Sequence, residues 1–109
     1  MAYDEGLAAR VSEALRDVRG LVEKRMFGGI GYLVAGNMAC GVRSDGLIVR
    51  VGPDAYQSAL TEPHTRPFDL TGRPMRGWVV VEPSGHEDDR DLEGWIARGV
   101  AFAGTLPPK

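Results

Sequence analysis

Leu7, Ala8, Val11, Ala14, Leu15 and Val18 recur at spacings of three, four and seven, while Glu5, Arg10, Glu13, Arg16 and Asp17 fall largely on the other side. This is the pattern of a helix with one buried face. Asp4 stands where an N-cap is wanted and Gly20 follows the last periodic residue, which places the helix over residues 4–18. From Leu21 to Gly52 the helical period gives way to short runs of strand formers. They are separated by Gly28-Gly29, Gly36-Asn37 and Asp45-Gly46, dipeptides that favour two-residue hairpin turns, so four antiparallel strands in a meander are predicted. Residues 53–60 read as a short helix with Pro53 in its first turn. Residues 62–77 hold three prolines and two glycines without a period and read as a loop, with His64 to Met75 its part of functional interest. Trp78-Val79-Val80-Val81 is a continuous apolar run, a fifth strand buried on both faces. Ser84 and Glu87 have capping-box spacing, Asp88, Asp89 and Asp91 suit a helix N-terminus, and Leu92, Trp95, Ile96, Gly99, Val100 and Ala103 form the stripe of a last helix. The order α-ββββ-α-β-α predicts a two-layer α+β domain, an antiparallel five-stranded sheet with helices mainly on one face.

The turn positions fix a register, and the register fixes what each face displays, because residues paired across a hairpin share a face. With Asp45-Gly46 as the loop, Val42 faces Val49 and Cys40 faces Val51 on an apolar side, while Arg43 pairs with Ile48 and Gly41 with Arg50 on the reverse. Carried through Gly36-Asn37, the pairing sets Leu33 beside Cys40 and Ala35 beside Met38 on the core side, with Tyr32 and Val34 on the reverse. With Gly28-Gly29 as the first loop, Met26 joins the core and Arg25 and Phe27 join the reverse. The reverse face then presents Phe27, Ile30, Tyr32, Val34 and Ile48 among Arg25, Arg43 and Arg50. Two readings compete for it. The arginines are solvated residues whose stems cover the apolar side chains, or the face is a docking surface for a protein partner or for self-association, a homodimer included.

The 109 residues fit one domain spanning residues 1–109. A net charge of -2, from 13 basic and 15 acidic residues, and the lack of a basic helical stripe disfavour direct nucleic-acid binding. Cys40, the single cysteine, has no partner for a disulfide, and residues 1–5 have neither a basic start nor an apolar run, so a cytoplasmic location is expected. No apolar stretch approaches the roughly 20 residues of a membrane span.

Candidate chemistry is sparse. Gly28, Gly29 and Gly31 beside Lys24 and Arg25 could offer backbone N–H groups and charge to a phosphate, giving a small-anion or nucleotide-phosphate site. No helix follows them, however, as it does in phosphate-binding loops, and a tight hairpin is the simpler reading. His64 and His86 lie far apart, and the acids after His86 sit where a helix N-terminus favours negative charge, so no metal site and no cofactor are expected. Cys40 alternates with core residues without a neighbouring cation, and Ser58 and Ser84 read as surface and cap residues, so no catalytic set is read. A small hydrolase or transferase built on His64 ranks last. Trp78 and Trp95 read as core anchors.

Arg25-Met26-Phe27-Gly28-Gly29-Ile30-Gly31, followed by Gly36-Asn37-Met38 and Leu47-Ile48-Val49-Arg50-Val51-Gly52, resembles the N-terminal domain of the TfoX (Sxy-like) competence-regulator family. Arg73-Pro74-Met75 and Trp78 agree more loosely. The resemblance implies an antiparallel α/β fold of the secretion-chaperone-like kind and a non-enzymatic regulatory or protein-interaction role. It also implies a link to competence-gene transcription in bacteria alongside a cyclic-AMP-receptor-type activator. Full-length relatives carry a helical C-terminal domain, for which no counterpart is expected within these residues. From the glycine hairpin and the reverse face, read on their own residues, the candidate binding residues are Lys24, Arg25, Phe27, Gly28, Gly29, Tyr32, Arg43 and Arg50.

Overall fold

The computed structural model describes residues 3–26, 28–69 and 72–109. Helix α1, Glu5–Ala14, leads into a meander of β1 Leu21–Met26, β2 Gly29–Val34, β3 Asn37–Arg43 and β4 Gly46–Arg50. Helix α2, Tyr56–Leu60, strands β5 Thr65–Asp69 and β6 Pro74–Val81, a 3-10 turn at Pro83–Gly85, and helix α3 Asp89–Ala103 complete it. The fold is α+β, with one antiparallel sheet in the order β1-β2-β3-β4-β6-β5. The sheet has six strands rather than five. The extra strand, β5, comes from the segment read as a loop: Thr65 to Pro67 pair with Val81 to Val79, and a bulge before Asp69 breaks the alternation that would have revealed the strand. Pro67 is tolerated because β5 is an edge strand.

All three helices cover one side of the sheet. Leu7, Val11 and Leu15 of the N-terminal segment, Tyr56 and Ala59 of α2, and Leu92, Trp95 and Ile96 of α3 pack with Cys40, Val42, Leu47, Val49, Val79 and Val81 in the main core. Asp4 caps α1, its carboxylate accepting from Leu7 N at 3.0 Å. The regular helix stops at Ala14 rather than at 18; Val18 N donates to Leu15 O in a tighter turn that still points Val18 at the core. Asp88 caps α3 by accepting from Arg90 N, so Ser84, expected as the cap, belongs to the 3-10 turn instead. Arg10 on α1 fastens the start of α3, donating to His86 O at 2.9 Å and Glu87 O at 3.2 Å and pairing with Asp89 at 2.9 Å.

Each hairpin turn lies one residue earlier than its dipeptide suggested. Val42 pairs with Leu47 instead of Val49, a slip of two residues that leaves Cys40 to Arg43 and all of β4 on their expected faces; Met38, expected on the core side, is turned to the outer face by the irregularity beyond Cys40. The other two hairpins change faces. Ala35 and Gly36, with φ of 51° and 85°, form the turn between Val34 and Asn37, a pair of left-handed residues that matches strand twist. A bulge follows at Tyr32/Leu33, so Tyr32 lies opposite Cys40 and Ile30 opposite Val42, both toward the helices. Across the first turn Met26 pairs with Gly29, Lys24 with Gly31 and Glu23 with Tyr32, which turns Glu23 and Arg25 to the helix side and Met26 to the other. A one-residue slip exchanges the two faces of a strand.

Candidate functional site

The side of the sheet away from the helices is the face that sequence reading proposed for binding, and the register determines its membership. Ile48, Phe68 and Val80 form its buried floor, with Met75 and Trp78 packed against them. Gly31 and Gly41 are adjacent on it, and the space their missing side chains leave is taken by Met26 and Met38: a Cβ added at either glycine would stand 2.7 Å from a methionine atom. Every methionine after Met1 thus lies on or beside this floor.

Arginines rim it. The Arg43 guanidinium is 5.8 Å from the Phe68 ring centroid, and Arg50 lies 5.0 Å from the Trp78 ring and 5.4 Å from the Phe102 ring. Arg66 pairs with Asp45 at 2.8 Å and with Glu82 at 3.7 Å, while Arg43 reaches Asp45 at 3.9 Å. Burial pushes the Asp45 carboxyl up, but the Arg66 hydrogen bond and the charges of Arg43 and Arg66 outweigh it and hold the group below its usual range. Arg50 has no carboxylate partner among the described residues; it is held by cation–π contact alone. The stems of these arginines account for a floor that is nearly sealed without a helix above it.

The candidate residues divide. Arg43 and Arg50 stand on this outer face as expected, and alternation along β1 adds Lys24. Tyr32 and Arg25 do not. Tyr32 is fully buried, its hydroxyl donating to Ala8 O at 3.1 Å and lying 3.4 Å from Ser12 Oγ. Burial pushes its hydroxyl pKa up to about 12. Arg25 extends along the helix side to within 5.8 Å of the Tyr3 ring. Phe27 lies outside the described residues. Gly28 sits in the turn with φ of 73°, and Gly29 lies so close to β3 that a Cβ would stand 2.0 Å from Val42 O. The glycines therefore serve the approach of strands, and because Lys24 and Arg25 point to opposite faces no converging anion cradle forms around them. Arg66, Phe68 and Met75 were missed because their segment read as a loop. The alternation of Arg66 and Phe68 about Pro67 was the available signal.

Elsewhere, Cys40 is buried and its thiol pKa is pushed up to about 12 by that burial, which leaves it protonated and unreactive. His64 Nδ1 lies 2.7 Å from Ser84 Oγ, and Glu82 N donates to His64 O at 2.8 Å, so the pair pins the start of β5 to the 3-10 turn. A shallow cleft of about 250 Å³ opens beside it, lined by Glu62, Asp91 and Trp95. Among the described residues no group of three or more His, Cys, Asp or Glu side chains is placed to hold a metal ion, and no helix is long and apolar enough to cross a membrane.

His86 is 4% exposed, and among the described residues neither ring nitrogen has a hydrogen-bond partner. Burial lowers its pKa, so the folded protein keeps the ring neutral where the unfolded chain protonates it. Stability from this residue is complete above the unfolded pKa of about 6.5 and declines as pH falls below it toward the lower folded pKa, at no more than about 1.4 kcal/mol per pH unit. Melting temperatures measured from pH 7.5 to 5 should therefore fall on the acid side in the wild type and fall less in His86→Leu. Parallel curves would show that His86 takes up its proton equally in both states.

Comparison with curated proteins and with solved structures yields no match. The model of the TfoX N-terminal domain matches residues 13–103, from the last turn of α1 to the end of α3, and so includes the whole sheet and every residue of the outer face. With that match across most of its length, the chain belongs to the TfoX N-terminal domain family.

Proposed function

We propose that this protein is a non-enzymatic regulatory module that works by docking a protein on the outer face of its sheet. The observation that carries the reading is the chemistry of that face: an apolar floor of Ile48, Phe68 and Val80, flexible methionines, the Trp78 indole, and three arginines, left uncovered by any helix. Methionine adapts to irregular partners, and arginine and tryptophan are the residues that anchor protein interfaces. The partner surface that fits carries carboxylates for Arg43, Arg50 and Lys24 around an apolar projection. The family resemblance makes a transcription activator of the cyclic-AMP-receptor type the first partner to test, and a bacterial cytoplasmic location is part of the same reading.

Arg43→Ala/Arg50→Ala is the variant of choice, since both side chains are half-buried at the surface and each cation–π contact is worth only about 0.5–1 kcal/mol. The double variant should keep a wild-type-like melting curve and lose at least about tenfold in affinity for that activator, the equivalent of about 1.4 kcal/mol. Equal retention of the partner by wild type and variant would remove the outer face from consideration.

A further inference from the structure

The two edges of the sheet are built differently. On β5 the edge is five residues long, carries Pro67 and is broken by a bulge, the devices that keep an edge from pairing with another chain. The opposite edge, β1, has neither proline nor bulge, and of the devices that blunt an edge it carries only the charged side chains of Glu23, Lys24 and Arg25. It pairs with β2 through six consecutive positions without a register shift, it contains neither proline nor glycine, and it carries Val22, 50% exposed and the one large exposed hydrophobic residue among those described.

Its free side has a definite pattern. Met26 and Gly29 close a two-residue turn, so they exchange hydrogen bonds, and antiparallel alternation then directs the backbone groups of Lys24 and Val22 inward to β2 and those of Leu21, Glu23 and Arg25 outward. Glu23 and Arg25 project on the helix side, where Glu23 accepts from Ser12 Oγ at 3.3 Å and Arg25 approaches Tyr3; Val22, Lys24 and Met26 project on the outer face.

We propose that β1 pairs antiparallel with β1 of a second copy of this chain, joining two six-stranded sheets into one. A two-fold axis normal to the sheet keeps both helix layers on the same side, so paired residues must share a face and the axis must pass through a residue position. Centred on Glu23 or on Arg25, the pairing sets like charges against each other on the helix side. Centred on Lys24, it sets Glu23 against Arg25 of the second copy, twice, and Val22 against Met26, twice. The same register brings the outward N–H and C=O groups of Glu23 and Arg25 opposite one another, where they bond. The Lys24 pair meets at a non-bonded position with its long stems free to splay into water. The dimer does not depend on what the outer face binds, and it makes the two outer faces continuous.

Sedimentation velocity tests it. The wild type should sediment at twice its 11.8 kDa. Glu23→Lys and Arg25→Glu should each weaken dimerisation at least about tenfold, because two attractive cross-strand pairs become repulsive. An equimolar mixture of these two variants should form a heterodimer, since Lys at 23 then meets Glu at 25 and Arg25 meets Glu23. The Glu23→Lys/Arg25→Glu double variant should dimerise like the wild type. Unchanged circular dichroism melts separate loss of pairing from loss of fold. A wild type that stays at 11.8 kDa into the millimolar range, or single variants that dimerise as well as wild type, would overturn the proposal.

Discussion

Gly99→Ala should destabilise the protein by about 2 kcal/mol or more, a fall of roughly 10 °C in melting temperature, although alanine is the better helix former. Helix α3 crosses β3 at this residue, and a Cβ at Gly99 would stand 2.3 Å from Ala39 O and 3.0 Å from Ala39 C. Both sides of that collision are backbone, so neither can rotate away; the helix must lift from the sheet, loosening Trp95 and Ile96 from Val49 and Cys40. Gly94, five residues earlier on the same helix, has nothing within 4 Å of its added Cβ. There only helix propensity operates, and Gly94→Ala should stabilise by about 0.5–1 kcal/mol. Thermal melts of the two variants should move in opposite directions. Movement in the same direction would mean that α3 does not rest on β3 through Gly99.

Tyr32→Ala should cost about 3–5 kcal/mol, a large part of the roughly 5–15 kcal/mol that holds a domain folded. The ring is wholly buried between β2 and α1. Tyr32→Phe keeps the ring and removes the bond to Ala8 O, which predicts a loss of about 1 kcal/mol. This ordering has a practical consequence for the interface. A Tyr32 variant that fails to bind a partner reports unfolding, whereas an Arg50 variant reports the outer face. Urea titrations of Tyr32→Ala, Tyr32→Phe and Arg50→Ala separate the three, and a Tyr32→Ala protein as stable as wild type would place the ring outside the core.

Both results turn on features that a sequence shows only in part. Gly99 stands in the apolar stripe of α3, and nothing in the stripe says that it is small because a strand passes beneath it. Tyr32 sits in an alternating run whose period is plain, but a period assigns residues to two faces without saying which is which. That choice was made by the register shift between Tyr32 and Leu33. Ala35 took the left-handed position that sequence reading had left to Gly36-Asn37, and the bulge after Tyr32 carried the change through β2. In the β3–β4 hairpin the same kind of misplacement moved the pairing by two residues, which preserved faces, so Arg43, Ile48 and Arg50 were found where expected.

The sequence by itself determined the order of elements apart from β5, the amphipathic faces of α1 and α3, the meander, the doubly buried Val79 to Val81 run and the family, because each of these rests on local periodicity or on a compact motif. Tertiary structure alone decided that the edge segment around Pro67 is a sixth strand, that Met26 and Met38 fill the spaces over Gly31 and Gly41, and that Tyr32 faces the helices while Arg50 faces away. These are questions of register and of contact between distant segments, and a shift of one residue, which barely alters local energetics, reverses the answer.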